Sequence, residues 1–512
     1  MAFAIVALLV LSLLIYYYSQ SKSSCRCPLP PGPEKLPIVE NLFHIPNGGF
    51  IWLEYAQMCR KYESDIIHLG ALGNSIIVLN SNKAVNDLLD IKSSIYSSRP
   101  QTVMLGELMG WGSSTVLRPN DDLWKGQRKI MNQAMPPNDT QRFHPKLLNL
   151  THDLLRALPH SDDVVKTLRT WAATFIIDVT YGLDVEVAET YLPTAIAVIE
   201  SMSIAAMPGA FYVDQLPILK YIPAWFPGAS FKRKAREWSK MRIKMTELTF
   251  NSVKQKLATG TATPSLTSVA LGKMDHKLDL AKQEELIKTA SVTAYAAGSD
   301  TTVSALGAFI LAMLMSPEIQ ATAHLEIEQA LGPGNLPNFG DEASLPYITA
   351  VVRETMRHNP VAPLAVPHEL TQDDIYKGYF LPKGSLIMAN VWSILHDEED
   401  YPEPDLFNPS RFLDADGKID PEVKDPTIPA FGFGRRVCPG KHMALASLWI
   451  VVASILACYS IEPELDENGN LIKPKAKWYS GPTLFNHPLP FKCRFVPRSK
   501  DVEVSLALHL SA

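Results

Sequence analysis

The sequence predicts a mainly α-helical protein with a small β region, and three observations carry that expectation. The stretch from Glu284 to Met315 holds no proline and is mostly apolar, enough for one continuous helix of roughly 48 Å. Residues 146–257 read as successive helical segments with a single interruption. Runs with strand character are short and confined to Ile66–Asn80, to residues 361–392 and to residues 459–498.

The chain has 512 residues, a length that allows two to four domains or one large one. Its net charge of -5 excludes the strong basic excess of a nucleic-acid binder. Six cysteines (Cys25, Cys27, Cys59, Cys438, Cys458, Cys493) show neither a disulfide framework nor a Cys-x-x-Cys zinc pair, which fits a reducing compartment. The 39 prolines predict long irregular connections between helices. No internal repeat or low-complexity tract is present.

Taken in order, Ala2 to Tyr18 is an uncharged aliphatic run closed by three tyrosines. It is short for a membrane span, but the tyrosines suit the headgroup level. Lys22 and Arg26 follow it, which keeps the bulk of the chain cytosolic by the positive-inside tendency. The competing reading is a cleaved signal peptide; the missing basic n-region and missing small-x-small site speak against it. Residues 1–20 are therefore read as an anchor, 21–37 as a linker with a stiff proline-rich hinge (Pro28-Leu29-Pro30-Pro31-Gly32-Pro33), and 38–512 as the catalytic domain. The sequons at Asn138 and Asn149 would then lie in cytosolic chain and go unused.

Ile66 to Asn80 predicts a hairpin, Ser81 to Ile91 a short helix, and residues 100–120 a long loop. Trp124 and Arg128 stand at i,i+4, on one face of a helix within Asp121–Ala134. Gly209 to Gly228 is aromatic, proline-punctuated and without helical period: exposed it would be a sticky patch, and the other readings are a dip into the membrane beside the anchor or the roof of a pocket; Lys232-Arg233-Lys234 follows it, either meeting anionic lipid or forming a solvated charge cluster. In the long apolar helix, Ala297-Gly298-Ser299-Asp300-Thr301-Thr302 breaks the pattern, and Thr301 is able to bond back one turn and bend the helix. Ser316-Pro317-Glu318 starts a helix that runs to about Leu331. Glu354 and Arg357 are an i,i+3 pair on the helix from Pro346 to His358. The segments PVAPLAVPHEL and YKGYFLPKGSLIMANVW predict strands joined by a Pro-Lys-Gly turn, and Phe407-Asn408-Pro409-Ser410-Arg411-Phe412 follows.

The stretch Phe431-Gly432-Phe433-Gly434-Arg435-Arg436-Val437-Cys438-Pro439-Gly440 places one cysteine in a Gly- and Arg-rich loop that feeds an apolar helix from Met443 to Ala457. Loop N–H groups and neighbouring arginines favour a low-pKa thiolate there, the form that an iron centre takes as axial ligand.

Phe431-x-x-Gly434-x-Arg436-x-Cys438-x-Gly440 resembles the haem-binding signature of the cytochrome P450 family, and the other segments resemble that family's motifs in their usual order. The resemblance implies the family's fold, a mainly α domain with a long central helix over haem b, and Cys438 as the iron ligand. It implies that Trp124, Arg128 and His368 hold haem propionates, and that Phe431, Gly434, Arg436 and Gly440 shape the haem loop. The Ala-Gly pair would make room over the haem, and Asp300 and Thr301 would deliver protons during oxygen activation. Glu354, Arg357 and Arg411 would form a buried network locking the cysteine loop, although Ser410 stands where the family often has an acid. The implied reaction inserts one atom of O2 into a small lipophilic substrate, with NADPH electrons supplied through a reductase docked on Lys125, Lys129, Arg435 and Lys441. Cytochrome b5 is admitted as a second electron donor, and no nucleic-acid partner is expected. The implied location is the endoplasmic reticulum membrane. Of the microsomal members, the chain looks most like fungal ones of secondary metabolism, with xenobiotic oxidation the other setting. Residues near 101–119, 204–212, 290–298, 361–367 and 480–486 are expected to wall the substrate pocket. Two other classes stay open: an oxygen-independent haem isomerase or dehydratase, against which the intact Asp300-Thr301 pair argues, and a haem-binding protein without turnover.

Overall fold

The computed structural model describes residues 27–137, 139–207, 209–480 and 484–499, with the side chains of 185–189 left out. The expected anchor, most of the linker before the hinge, and Asn138 lie outside the described residues. The described chain is mainly helical, with small sheets.

The longer helices are α1 (Ile51–Lys61), α2 (Asp122–Ala134), α3 (His144–Ala157), α4 (Val164–Tyr181), α5 (Val185–Ala205), α6 (Ser230–Ala258), α7 (Leu280–Met315), α8 (Pro317–Leu331), α9 (Pro346–His358) and α10 (Lys441–Cys458). The strands are β1 (Ile66–Ala71), β2 (Asn74–Leu79), β3 (His368–Glu369), β4 (Asp374–Tyr376), β5 (Tyr379–Leu381), β6 (Leu386–Ala389), β7 (Tyr459–Pro463) and β8 (Cys493–Pro497). One sheet has the order β1-β2-β6-β3; β4 pairs with β5, and β7 with β8. β1 and β2 form the expected antiparallel hairpin, while β2 and β6 run parallel with Ile76 opposite Leu386.

Both α7 and α10 are apolar on every side, the pattern of a helix enclosed by others. Each is long and apolar enough to cross a membrane, yet 67% and 72% of their most apolar windows are buried by neighbours. They are core helices. α7 begins one turn earlier than the sequence suggested, because Asp279 caps it by accepting from the Lys282 N–H. α4 lies along α7, and α9 packs on α10.

Three local expectations change. The segment after Ser81 is a single α turn (Asn82–Val85) that widens into a π-helical turn over Asn86–Ile91. The 100–120 loop contains a π turn, Val103–Leu108, capped by Thr102. PVAPLAVPHEL yields strand only at His368–Glu369, since its three prolines remove ladder donors. The hinge is less free than a spacer: Pro31 O accepts from His68 N at 2.9 Å and Pro28 O from Phe380 N at 2.7 Å. It lies along the sheet edge and covers it.

Candidate active site

The cysteine loop is fixed by its backbone. Cys438 N donates to Phe431 O at 2.9 Å and Arg436 N to Phe433 O at 3.0 Å. Gly434 has φ +52°, and a Cβ there would lie 2.3 Å from Leu89 O, so no other residue fits. Gly440 lies beside the sulfur: a Cβ built on it would sit 3.9 Å from Cys438 Sγ. Phe431 is half-buried, with Lys441 Nζ 5.8 Å from its ring centre.

The electrostatics at Cys438 differ from the expected low-pKa thiol. Burial pushes it up, and the Gly440 N–H with the charges of Arg128 and Lys441 only partly offsets this. A bound metal ion would supply the positive charge that favours the thiolate form there. Cys438 is densely surrounded yet still partly accessible, so it faces an internal space.

Around that space stands a group of cations. Arg436 stacks 4.3 Å over the Trp124 ring and donates to Ser97 O at 2.7 Å and Arg118 O at 2.8 Å. Burial and the Arg128 charge press its pKa down to about 10. Trp124 is set at the head of α2 by Asp121, whose carboxylate accepts from the Trp124 N–H at 2.8 Å. Arg128, one turn on, is depressed by burial. His368 is buried, bonds Tyr96 O through Nδ1 at 2.7 Å, and is driven well below its usual range by burial and by the charge of Arg99.

Sequence reasoning missed Arg99. It is 5% exposed, donates to Val366 O and to Pro367 O, and leaves its Nε without a partner. Burial and Arg436 push it far below its ordinary value. Its signal was an arginine before proline in a polar stretch, Ser97-Ser98-Arg99-Pro100-Gln101-Thr102, which is too weak to single out. Among these cations the described residues show one carboxylate, Asp121, and that is already paired with Arg118 at 2.8 Å. Such crowding needs an anion. A haem, with two propionates for the cations and an iron for the sulfur, fits the residues present.

α7 lines a cavity through Thr293, Ala296 and Ala297. Thr301 Oγ1 donates to Ala297 O at 2.8 Å, as its spacing predicted. Ala297 is exposed although the residues just before it are buried, so it faces a cavity inside the fold. Gly298 corrects an expectation: a Cβ there would lie 2.7 Å from Ile176 on α4, so its missing side chain makes room for a helix rather than for the haem. Asp300 does not face Thr301's side of α7. Its carboxylate is 2.9 Å from His487 Nε2 and 3.7 Å from Arg169 Nε. Burial raises its pKa, but these two partners together hold it below the usual carboxylate value.

The cavity beside Ala297 has a volume of about 290 Å³. All five expected stretches contribute, among them Gln101, Leu105, Trp111, Met207, Thr293, Val366 and Leu484. Residues not foreseen include Asn74, Ser75, Ile76, Asp214, Gln215, Glu369 and Leu386. The Gly209–Gly228 segment supplies both faces expected of it: Gly209, Asp214 and Gln215 line the cavity, while Tyr212, Tyr221, Trp225 and Phe226 are exposed.

Glu354 and Arg357 are fully buried and paired at 2.7 Å, with Arg411 Nε 3.4 Å from the same carboxylate. Arg357 also donates to Leu395, Pro404 and Leu406 carbonyls, and Arg411 to those of Pro402, Glu403 and Leu406. The network therefore ties down residues 395–411 directly. It reaches the cysteine loop through α9, which packs both on the turn Thr427–Ala430 just before that loop and on α10, which starts three residues beyond Cys438. Along α2 an open cleft is lined by Trp124, Lys125, Arg128, Lys129, Asn132, Gln133 and Arg435.

The family model for cytochrome P450 matches residues 30–492. Cytochrome P450 monooxygenase 98 of Postia placenta is 54% identical over 95% of this chain and 94% of its own. Tryptamine 4-monooxygenase of Psilocybe cyanescens is 39% identical over 96% and 97%, and cytochrome P450 monooxygenase ple1 of Rhodocybe pseudopiperita is 37% identical over 95% and 93%. By this match over most of its length, the chain belongs to the cytochrome P450 family, as a haem-thiolate monooxygenase that uses O2 and reductase-delivered NADPH electrons to oxidise a lipophilic small molecule.

Proposed function

We propose that Cys438 ligates the haem iron, that Arg99, Trp124, Arg128, His368 and Arg436 hold its propionates, and that Ala297 and Thr301 border the reacting face. The observation that carries this is the uncompensated cation group beside a thiol whose burial disfavours its charge. When bound, the haem supplies the oxidising chemistry; the chain binds it, excludes water and moves protons. Thr301 presents a hydroxyl to the cavity side of α7, and Asp300 is the acid that stocks it. Glu354, Arg357 and Arg411 act as scaffold. Lys125, Lys129, Arg435 and Lys441 form the reductase-docking face, with cytochrome b5 as a second user of it.

The substrate is proposed to be a compact lipophilic molecule of fungal secondary metabolism, since the cavity is mostly apolar, with scattered hydroxyl and amide groups and the carboxyls of Asp214 and Glu369. An indole or a terpenoid skeleton both fit that chemistry; the relative from Psilocybe cyanescens is named for an indole amine. Residues 1–20 are proposed to anchor the chain in the endoplasmic reticulum membrane, with the exposed Trp225 and Phe226 and the basic start of α6 resting on the lipid. Domain limits follow: 1–20 anchor, 21–37 linker and hinge, 38–512 catalytic domain.

The test is purified enzyme with reductase, NADPH and isotopically labelled O2, screened against a metabolite extract. One labelled oxygen atom per product supports the assignment. Cys438→Ser should lose the red-shifted absorption of the reduced carbon monoxide complex that marks a thiolate ligand. If that band survives the substitution, another residue is the ligand.

A further inference from the structure

Asp300 is held from outside its own helix. Along α7 the positions Asp300, Ser304 and Gly307 fall at i, i+4 and i+7, a single stripe. One short segment lies on that stripe residue by residue. His487 Nε2 meets Asp300 Oδ2 at 2.9 Å, Ser304 Oγ donates to Asn486 O, and a Cβ on Gly307 would lie 3.0 Å from Pro488 Cγ. The segment is tied elsewhere too: Asn486 N donates to Val361 O at 2.8 Å, and Tyr479 N to His487 O at 2.9 Å. Leu484, three residues before His487, is part of the cavity wall. The other charged group on Asp300 is Arg169 of α4, 3.7 Å away and too far to hydrogen-bond. The Asp300 side chain is only 13% exposed, whereas that of His487 retains 20%.

We infer that His487 is the positioning and proton-loading residue for Asp300, carried on a strap of residues 484–488. Imidazolium Nε2–H passes its proton to the Asp300 Oδ2 carboxylate, leaving neutral imidazole and a carboxylic acid, and a hydronium ion of the solvent restores the imidazolium, so protons balance and no oxidant or reductant is involved. Residues 300 and 301 are neighbours about 100° apart around α7, so a protonated Asp300 reaches the Thr301 side by a rotamer change. The 2.9 Å contact with His487 Nε2 holds the Asp300 carboxylate on the strap side, and Arg169 at 3.7 Å keeps a weaker hold. The inference rests on the monooxygenase reading for its purpose, but not for its geometry.

Two measurements test it. The first needs no turnover: infrared titration of the resting haem-loaded protein, with the Asp300 carboxyl band identified by its loss in Asp300→Asn. In His487→Gln the carboxyl should take up its proton at a higher pH than in wild type, because burial remains and its strongest partner is gone. An unchanged titration overturns the positioning role, whatever reaction the enzyme performs. The second is product formed per NADPH as a function of pH. Product formed per NADPH should depend on pH in wild type, whereas in His487→Gln it should be low and flat, down by about tenfold at the wild-type optimum. Asp300→Asn combined with His487→Gln should be no worse than either alone. Ser304→Ala loosens the strap without touching a titrating group, and should keep the wild-type pH profile. If it reproduces the His487→Gln profile instead, the strap is scaffold only and proton loading is overturned.

Discussion

A buried cation without a counter-ion explains itself only through what it binds, and Arg99 is the clearest case. It is pressed far below its ordinary pKa by burial and by Arg436, and its Nε has no acceptor. Arg99→Met should therefore weaken haem retention by about ten- to a hundredfold, the worth of one charge-assisted hydrogen bond at roughly 1.5–3 kcal/mol. Haem transfer to apomyoglobin reads this directly, and a transfer rate equal to wild type would remove Arg99 from the propionate site. The same scale shows why sequence found some residues and not others. Cys438, Gly434, Arg436 and Gly440 stand in one ten-residue window with fixed spacing, so each supports the others. Arg99 and His487 have no such companions. They reach the site from a loop and from the last part of the chain, and only the fold puts them beside Arg436 and Asp300.

At the scale of elements, the long helix α7 was legible because its signal is an absence: no proline and few charges over more than thirty residues. Its faces were not. Gly298 was assigned to the haem side, while the packing of α4 claims it. An added methyl would be driven against Ile176 Cγ1 and Cδ1, both 2.7 Å away, and neither lies at the end of a long flexible chain. Gly298→Ala should then destabilise by about 1–3 kcal/mol, the usual range for overpacking. Adding Ile176→Ala should recover part of that loss, although the second substitution alone opens a cavity and costs stability. Chemical unfolding of the four proteins in the cycle decides. Additive losses with no recovery would mean that Gly298 answers to the haem side after all. Short strands were harder to place because proline-rich runs such as 360–367 look extended in sequence whether or not they pair, and only His368–Glu369 finds a partner.

For the whole molecule, the main surface question is which side meets lipid. Deletion of residues 1–27 should leave a protein that still binds membranes weakly through Trp225 and Phe226, and Trp225→Ser with Phe226→Ser should then release it; sedimentation with vesicles measures both steps. The main internal question is acid stability. His68, His324 and His396 are all depressed by burial first, to about 4, about 4 and about 3. Each stays neutral in the fold at a pH where the unfolded chain, with an ordinary value near 6.5, already binds a proton. The unfolded state thus takes up more protons, and stability falls as pH drops from about 6.5 toward the folded values; above 6.5 the contribution is complete. For His68 alone the span of about 2.5 pH units corresponds to at most about 3 kcal/mol. Its ring sits 3.1 Å from Ser75 Oγ, with Lys35 adding to the depression and Glu40 opposing it. His68→Gln keeps a partner for Ser75 and cannot titrate, so its melting temperature should decline less steeply than that of wild type between pH 7.5 and pH 5. Parallel slopes would show that His68 is charged within the fold, with the Glu40 carboxylate rather than burial setting its state.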